Sequence, residues 1–243
     1  MTFDLPTPGS ALAIGAHPDD VEFGCGGLLA KWAAAGCRVH HLICTDGSKG
    51  TWDVSADLAD LRARRRTEQR QAAHRLAGGQ AGEVRFLDRI DGELTNDEAT
   101  RAEIALAIRE VQPDVVLGHD PWKRYRLHPD HRHAGFLTCD GIVAARDPHF
   151  HPEQLVGGLT HHRPRHLLLW EADEPDHVED VSSSVATKLA ALEAHESQFE
   201  STMKAVDEDE LEAFRHRVRS RLAELGEPHG VSAAEVFKRI DRL

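Results

Sequence analysis

The sequence predicts an α/β fold, a Rossmann-like three-layer sandwich around a mostly parallel central sheet, and three observations point there. Short apolar runs alternate with longer helical segments along the chain, the pattern that sets parallel strands between layers of helices. Three of the loops that follow those runs, His17 to Asp20, Thr45 to Ser48 and His119 to His131, carry the polar residues of most interest, as expected where strands end on one edge of a sheet and ligands bind near a switch in strand order. At 243 residues the chain can bury one sizeable core, so residues 1–243 are read as one domain, with a helical C-terminal portion from about residue 180.

Taken in order, Ala11 to Ala16 is an apolar run ending in a polar turn and reads as a strand. Small and apolar residues from Phe23 to Ala35 read as a helix, with Gly36 as its stop. Val39 to Cys44 is a second strand, closed by Thr45-Asp46-Gly47-Ser48, and an Ala/Arg/Gln-rich helix follows from about Leu58 to Leu76. Val84 to Leu87 is expected to be a third strand, Glu98 to Val111 a helix, and Val115 to Leu117, after Pro113-Asp114, a fourth strand. His166 to Trp170 reads as a later strand, and Val185 to His195, Glu208 to Leu225 and Ala233 to Ile240 read as helices. No internal repeat or low-complexity tract interrupts this pattern.

Acidic residues outnumber basic ones by 41 to 29, a formal net charge of −12, and no long basic tract offers a phosphate backbone a place to bind, so nucleic acid is excluded as the expected partner. The one basic cluster, Arg62, Arg64, Arg65, Arg66 and Arg70 beside Glu68, reads first as a solvated helix face. No secretory pattern opens the chain and no apolar run approaches the roughly 18 residues of a membrane span, which leads us to expect a cytoplasmic protein. Cys25, Cys37, Cys44 and Cys139 form no C-x-x-C pair and read as reduced thiols; any metal must use other ligands.

Two clusters supply such ligands. Ala16-His17-Pro18-Asp19-Asp20-Val21-Glu22 packs an imidazole and three carboxylates directly after a strand, and His128-Pro129-Asp130-His131 sets two more imidazoles around a Pro-Asp pair. Histidine and carboxylate in this combination suit a catalytic zinc, three protein ligands leaving a position for water. Adjacent residues of an extended loop point in different directions, so one of Asp19 and Asp20 can ligate while its neighbour serves as general base. Either cluster alone also fits a plain turn in which Pro fixes the backbone and Asp caps a helix; two at two strand ends favour chemistry. His40-His41 and His161-His162 are read as surface or packing residues. Gly24, Gly26 and Gly27 do not form G-x-G-x-x-G at a strand end, and close packing of helix on sheet explains them better than a nucleotide does.

These residues resemble the zinc-dependent N-acetylglucosaminyl deacetylases of the LmbE-like, or PIG-L-like, family. Its A-H-P-D-D-x-E motif stands here as Ala16 to Glu22, followed by Gly24-Cys25-Gly26-Gly27, and its later H-P-D-H as His128 to His131. The resemblance covers most of the chain and extends to Lys188 to Gln198. It implies Zn2+ on His17, Asp20 and His131, Asp19 as general base, His128 stabilising the oxyanion or protonating the amine, and Asp130 orienting or charge-stabilising His128. It also implies a substrate-gripping arginine in the second helix, which by its spacing to Glu68 is Arg65, with Arg64 and Arg66 as alternatives. The spacer before Glu22 is similar to deacetylases of the bacillithiol type of pathway.

The expected reaction is removal of an N-acyl, most simply N-acetyl, group from a small amino sugar or its conjugate. Alternatives are amidase action on a thiol-sugar conjugate of the mycothiol type, a non-catalytic metal- or sugar-binding protein, and a nucleotide-dependent enzyme on the same scaffold. Substrate discrimination is expected from the loop after Asp46 with Trp52 beyond it, from His119 to Leu127, and from Glu171, Asp173 and His177. A homo-oligomer is an open expectation, with no membrane partner.

Overall fold

The structure, a computed structural model, describes all 243 residues. Eight strands form one sheet: β1 (Thr2–Phe3), β2 (Ser10–Gly15), β3 (Arg38–Thr45), β4 (Ala81–Arg89), β5 (Val115–His119), β6 (His166–Trp170), β7 (His177–Asp180) and β8 (Ala234–Ile240). Six α-helices accompany them: α1 (Asp20–Ala34), α2 (Leu58–Ala77), α3 (Glu98–Val111), α4 (Pro129–Arg146), α5 (Val185–Leu192) and α6 (Glu208–Gly226). The strand order is β1-β7-β8-β6-β5-β2-β3-β4, and only β8 runs antiparallel to its neighbours.

Alternation along the strands builds two cores. Ala11 and Ala13 of β2, Val39 and Ile43 of β3 and Val115 and Leu117 of β5 face one side, where α1, α2 and α5 bring Leu28, Leu29, Trp32, Leu76 and Ala191. Leu12, Ile14, Leu42 and Val116 point to the other side, against Ile104 and Ile108 of α3 and Leu137 and Ile142 of α4. Successive side chains of a strand point to opposite faces, so runs such as Ala11 to Ile14 stay apolar at every position because both faces are covered. No helix is long and apolar enough to cross a membrane.

Connectivity sets where a site can form. From β2 the chain crosses through α1 to β3 and then reaches β4 at the sheet edge; from β4 it returns through α3 to β5, on the other side of β2. The loops after β2 and β5 therefore part in opposite directions and leave a crevice above the carboxyl ends of these strands. His17 to Asp20 and His119 to His131 both lie on it.

The sequence reading is corrected at Ala233 to Ile240, which is strand β8 rather than a helix. Ala233, Val236, Phe237 and Ile240 satisfy helical spacing, yet Val, Phe and Ile also suit a strand. The open edges of β6 and β7 accept this segment between them, pairing Phe237 with both Trp170 and His177. The C-terminal portion from about 180 is thus helical only through α6. Helix α4 and strands β1 and β7 were not expected from the sequence.

Candidate functional site

Helix α1 opens directly on the first cluster. His17 N–H donates to Asp20 Oδ2 at 2.7 Å, folding the loop back so that the His17 and Asp20 side chains converge. Helix α4 starts at Pro129, with His128 as N-cap accepting the Asp130 N–H on Nδ1 at 3.3 Å; proline at the first position carries no N–H to satisfy. One turn into α4, His131 turns back toward the first loop. His17 Nδ1 lies 3.2 Å from His131 Nε2 and 3.3 Å from Asp20 Oδ2, and His131 Nε2 lies 3.4 Å from Asp20 Oδ1.

The two imidazoles and the Asp20 carboxylate stand close enough to share one ion at the roughly 2.0–2.1 Å that zinc keeps to imidazole nitrogen or carboxylate oxygen. The charges around the two rings also suit a cation. Burial by itself would lower the His17 pKa, but Asp130, Asp20 and Asp91 around the ring raise it well above the usual histidine range. A proton on His17 thus balances carboxylates that a cation would balance instead. Burial, outweighing the attraction of Asp20 and joined by the neighbouring imidazoles, lowers His131 to about 4, so the ring is neutral with one nitrogen lone pair free; Arg126 Nη1 stands 2.9 Å from its Nδ1.

Asp130 stands between His17 and His128, and its charge favours the protonated form of His128. Its carboxylate lies 3.1 Å from His17 Nε2 and accepts the Gly92 and Leu94 N–H groups, while only its backbone N–H touches His128. Asp91, which the sequence reading passed over, is 3.2 Å from the same His17 nitrogen. Two carboxylates at Nε2 keep the ring's proton there and leave Nδ1 facing Asp20 and His131. Its one sequence signal is an Asp-Gly pair just beyond a strand.

His119 was also missed as an individual residue. Trp170 Nε1–H, a donor only, gives its hydrogen to His119 Nδ1 at 3.0 Å, so the neutral His119 ring carries its proton on Nε2, 3.3 Å from Asp20 Oδ2. His119 thus borders Asp20, and with Asp20 and His131 it also lies within reach of one ion. The rings of His119 and His131 stack with centroids 4.5 Å apart.

Asp19 lines the same cavity without bonding to this triad. Burial raises its pKa to about 6 against the opposing pull of Arg65, whose Nη2 stands 3.3 Å from Asp19 Oδ2. Of the three arginine alternatives only Arg65 enters the site; it is 3% exposed and also donates to Gly47 O and Pro18 O. Arg64 pairs with Glu68 and Arg66 with Asp88 outside it, so the basic cluster is a solvated face except at Arg65. Burial and the neighbouring His17 lower the pKa of His128, and with Nδ1 accepting from Asp130 its neutral ring presents Nε2–H.

These side chains share a cavity of about 570 Å³, walled also by Lys49, Trp52, Glu171 and Gln198. Trp52 is 78% exposed at its mouth. His177, expected near the substrate, instead lies buried on β7, bonded to Glu179 at the far side of the sheet. Of the two histidine pairs read as structural, His41 is buried within 3.7 Å of Glu22 and His162 bonds Pro113 O. All four cysteines are free.

The chain is similar to known deacetylases in sequence and fold. The family described as PIG-L, GlcNAc-PI de-N-acetylase, matches residues 12–141. The diacetylchitobiose deacetylase of Thermococcus kodakarensis is 38% identical over 188 residues, 77% of this chain and 69% of the relative. The 1D-myo-inositol 2-acetamido-2-deoxy-alpha-D-glucopyranoside deacetylase of Rhodococcus jostii is 33% identical over 156 residues, and this match spans about half of each chain, 55% and 53%. In the solved structure of N,N'-diacetylchitobiose deacetylase from Pyrococcus horikoshii, 31% identical, the similarity covers 96% of this chain and 84% of that one with a TM-score of 0.86.

Proposed function

Since the chain belongs to the PIG-L family, we propose that it is a zinc-dependent N-deacetylase that removes an acetyl group from the nitrogen of an amino sugar or a short glycoside of one. The observation that carries this reading is the convergence of His17 Nδ1, His131 Nε2 and the Asp20 carboxylate, whose Oδ2 is 3.3 Å from His17 and Oδ1 3.4 Å from His131, with a separate carboxylate, Asp19, in the same cavity. His17, Asp20 and His131 would hold the ion. When bound, a divalent zinc there polarises the amide carbonyl and makes a water more acidic.

The rest is the work of this chain's own groups. Asp19, with a carboxyl pKa near 6, is ionised at neutral pH and basic enough to take a proton from the attacking water. His128 presents Nε2–H to the carbonyl oxygen as negative charge builds on it. The proton held by Asp19 then passes to the departing amine, which needs it to leave. Asp130 and Asp91 position His17, and His119 positions Asp20, as the partners of metal ligands commonly do. Arg65 holds Asp19 and the Gly47 turn, a positioning role beside any contact with the sugar. A cytoplasmic setting suits the four free thiols.

The test is acetate release from N-acetylglucosamine and N,N'-diacetylchitobiose, with zinc content measured on the same samples, for wild type and Asp19→Asn. About one zinc per chain in both, with acetate from wild type only, supports the reading. A metal-free protein, or acetate from both forms alike, overturns it.

A further inference from the structure

Asp19 has a backbone that an aspartate seldom adopts. It precedes helix α1 with φ 96° and ψ −26°, and its side chain makes no cap hydrogen bond to the helix. A residue in this position ordinarily sits extended with its carboxylate bonded to the first turn. Here the backbone is wound the other way, the carboxylate is withheld from the helix, and the Asp19 N–H is turned into the interior.

That buried N–H has one acceptor, Gln69 Oε1 of α2, at 2.9 Å. Which end of the Gln69 amide faces it is decided one step further in. Gln69 Nε2 donates to Glu22 Oε1 at 2.8 Å, so the carboxylate takes the NH2 end of the amide and the oxygen is left to Asp19. Glu22 Oε2 in turn lies 3.3 Å from His195 Nε2, just beyond α5. Gln69, Glu22 and His195 are all fully buried, so no water competes for these bonds and each misplaced donor would be left unmade.

We propose that Gln69, oriented by Glu22 and His195, is a positioning residue that holds Asp19 in its left-handed conformation and so points the carboxylate into the cavity. The proposal rests on the deacetylase reading for its catalytic consequence and on the backbone geometry for its existence. It also accounts for two sequence features that the metal site leaves unused, the glutamate ending the first motif and the histidine after α5. Strained backbone persists only where the surroundings over-determine it, and this chain of three buried bonds from three elements does so.

Gln69→Met keeps the volume and removes the acceptor. The expected result is a fall in kcat of about a hundredfold with KM and zinc content within about twofold, and a crystal structure in which Asp19 has left the left-handed region. Gln69→Glu sets two carboxylates together and should also be impaired. Combining it with Glu22→Gln exchanges the two groups. The carboxylate then stands on α2 and accepts both from the Asp19 N–H and from the amide NH2 that has moved to α1, while the oxygen of that amide accepts from His195. The pair E22Q/Q69E should therefore regain most of the lost rate. If Q69M does not fold, the comparison of Q69E with E22Q/Q69E carries the test. Full kcat in Q69M, an unchanged Asp19 φ in its structure, or no recovery in the pair overturns the proposal. If wild type releases no acetate, the deacetylase reading falls, and the Asp19 φ in Q69M still decides the positioning role.

Discussion

At the scale of single residues, two adjacent aspartates are held in opposite electrostatic states. Asp20 is buried, yet the imidazoles of His131, His119 and His17 hold its carboxyl well below the usual range, whereas burial of Asp19 wins over Arg65 and raises it to about 6. One is held as an anion; the other is left able to exchange a proton. Asp19→Asn should lower kcat by a factor of about 10² to 10⁴ while zinc stays bound, which acetate release and metal analysis together will show. A base works ionised, so kcat/KM should rise with pH along a limb governed by Asp19. In the zinc-loaded enzyme the cation acts in the same direction as Arg65 and moves that limb to lower pH. Arg65→Met removes a charge that favours the ionised form, and its limb should move to higher pH. An unmoved limb in R65M would separate Arg65 from Asp19. Asp130→Asn should weaken zinc binding by about 10- to 100-fold, the usual effect of losing a partner of a ligand, measured by competition with a chelator.

At the scale of elements, helix α1 carries the site and has to be placed closely. It bends at Cys25, and the Gly27 and Leu28 N–H groups beyond the bend are received by Glu235 of β8 at 2.9 and 2.8 Å, a carboxylate also paired with the buried Lys188. Glycine is required where the helix meets β6: a Cβ on Gly24 would stand 2.5 Å from the Trp170 ring. That indole is fully packed and donates to His119, so it cannot move aside without releasing the residue behind Asp20. Gly24→Ala should therefore destabilise the fold by about 1–3 kcal/mol, read as a lower Tm, and weaken zinc binding as well. A Tm equal to wild type would mean that α1 can slide on the sheet.

At the scale of the whole molecule, the site is assembled from the ends of β2, β4 and β5 with helices from both layers, so an ion there ties together segments far apart in sequence. Anything bound only by the native state stabilises it by mass action, about 2.7 kcal/mol at a hundred times its dissociation constant. For a chain of this size that corresponds to a rise in Tm of roughly 5–10 °C. Thermal unfolding with zinc added and with a chelator should differ by this amount in wild type, and the difference should vanish in a variant lacking His17 and His131. An equal shift in that variant would place the ion elsewhere.

What the sequence determined by itself was whatever depends on neighbours along the chain. Alternating apolar runs and helices marked the parallel sheet, and the two Pro-Asp clusters marked both halves of the site, because a strand end and the loop after it are written contiguously. Family resemblance attached roles to His17, Asp19, Asp20 and His131 for the same reason. Tertiary structure alone decided that Asp130 and Asp91 meet His17, that Trp170 sets His119, that Arg65 rather than Arg64 or Arg66 turns inward, and that Gln69 reaches Asp19. It also made β8 a strand, since Ala233 to Ile240 suits either period and only the gap between β6 and β7 chooses. Each of these joins residues at least 46 positions apart, and a buried polar group is placed by whichever partner the folded interior brings within about 3 Å, which no local pattern records.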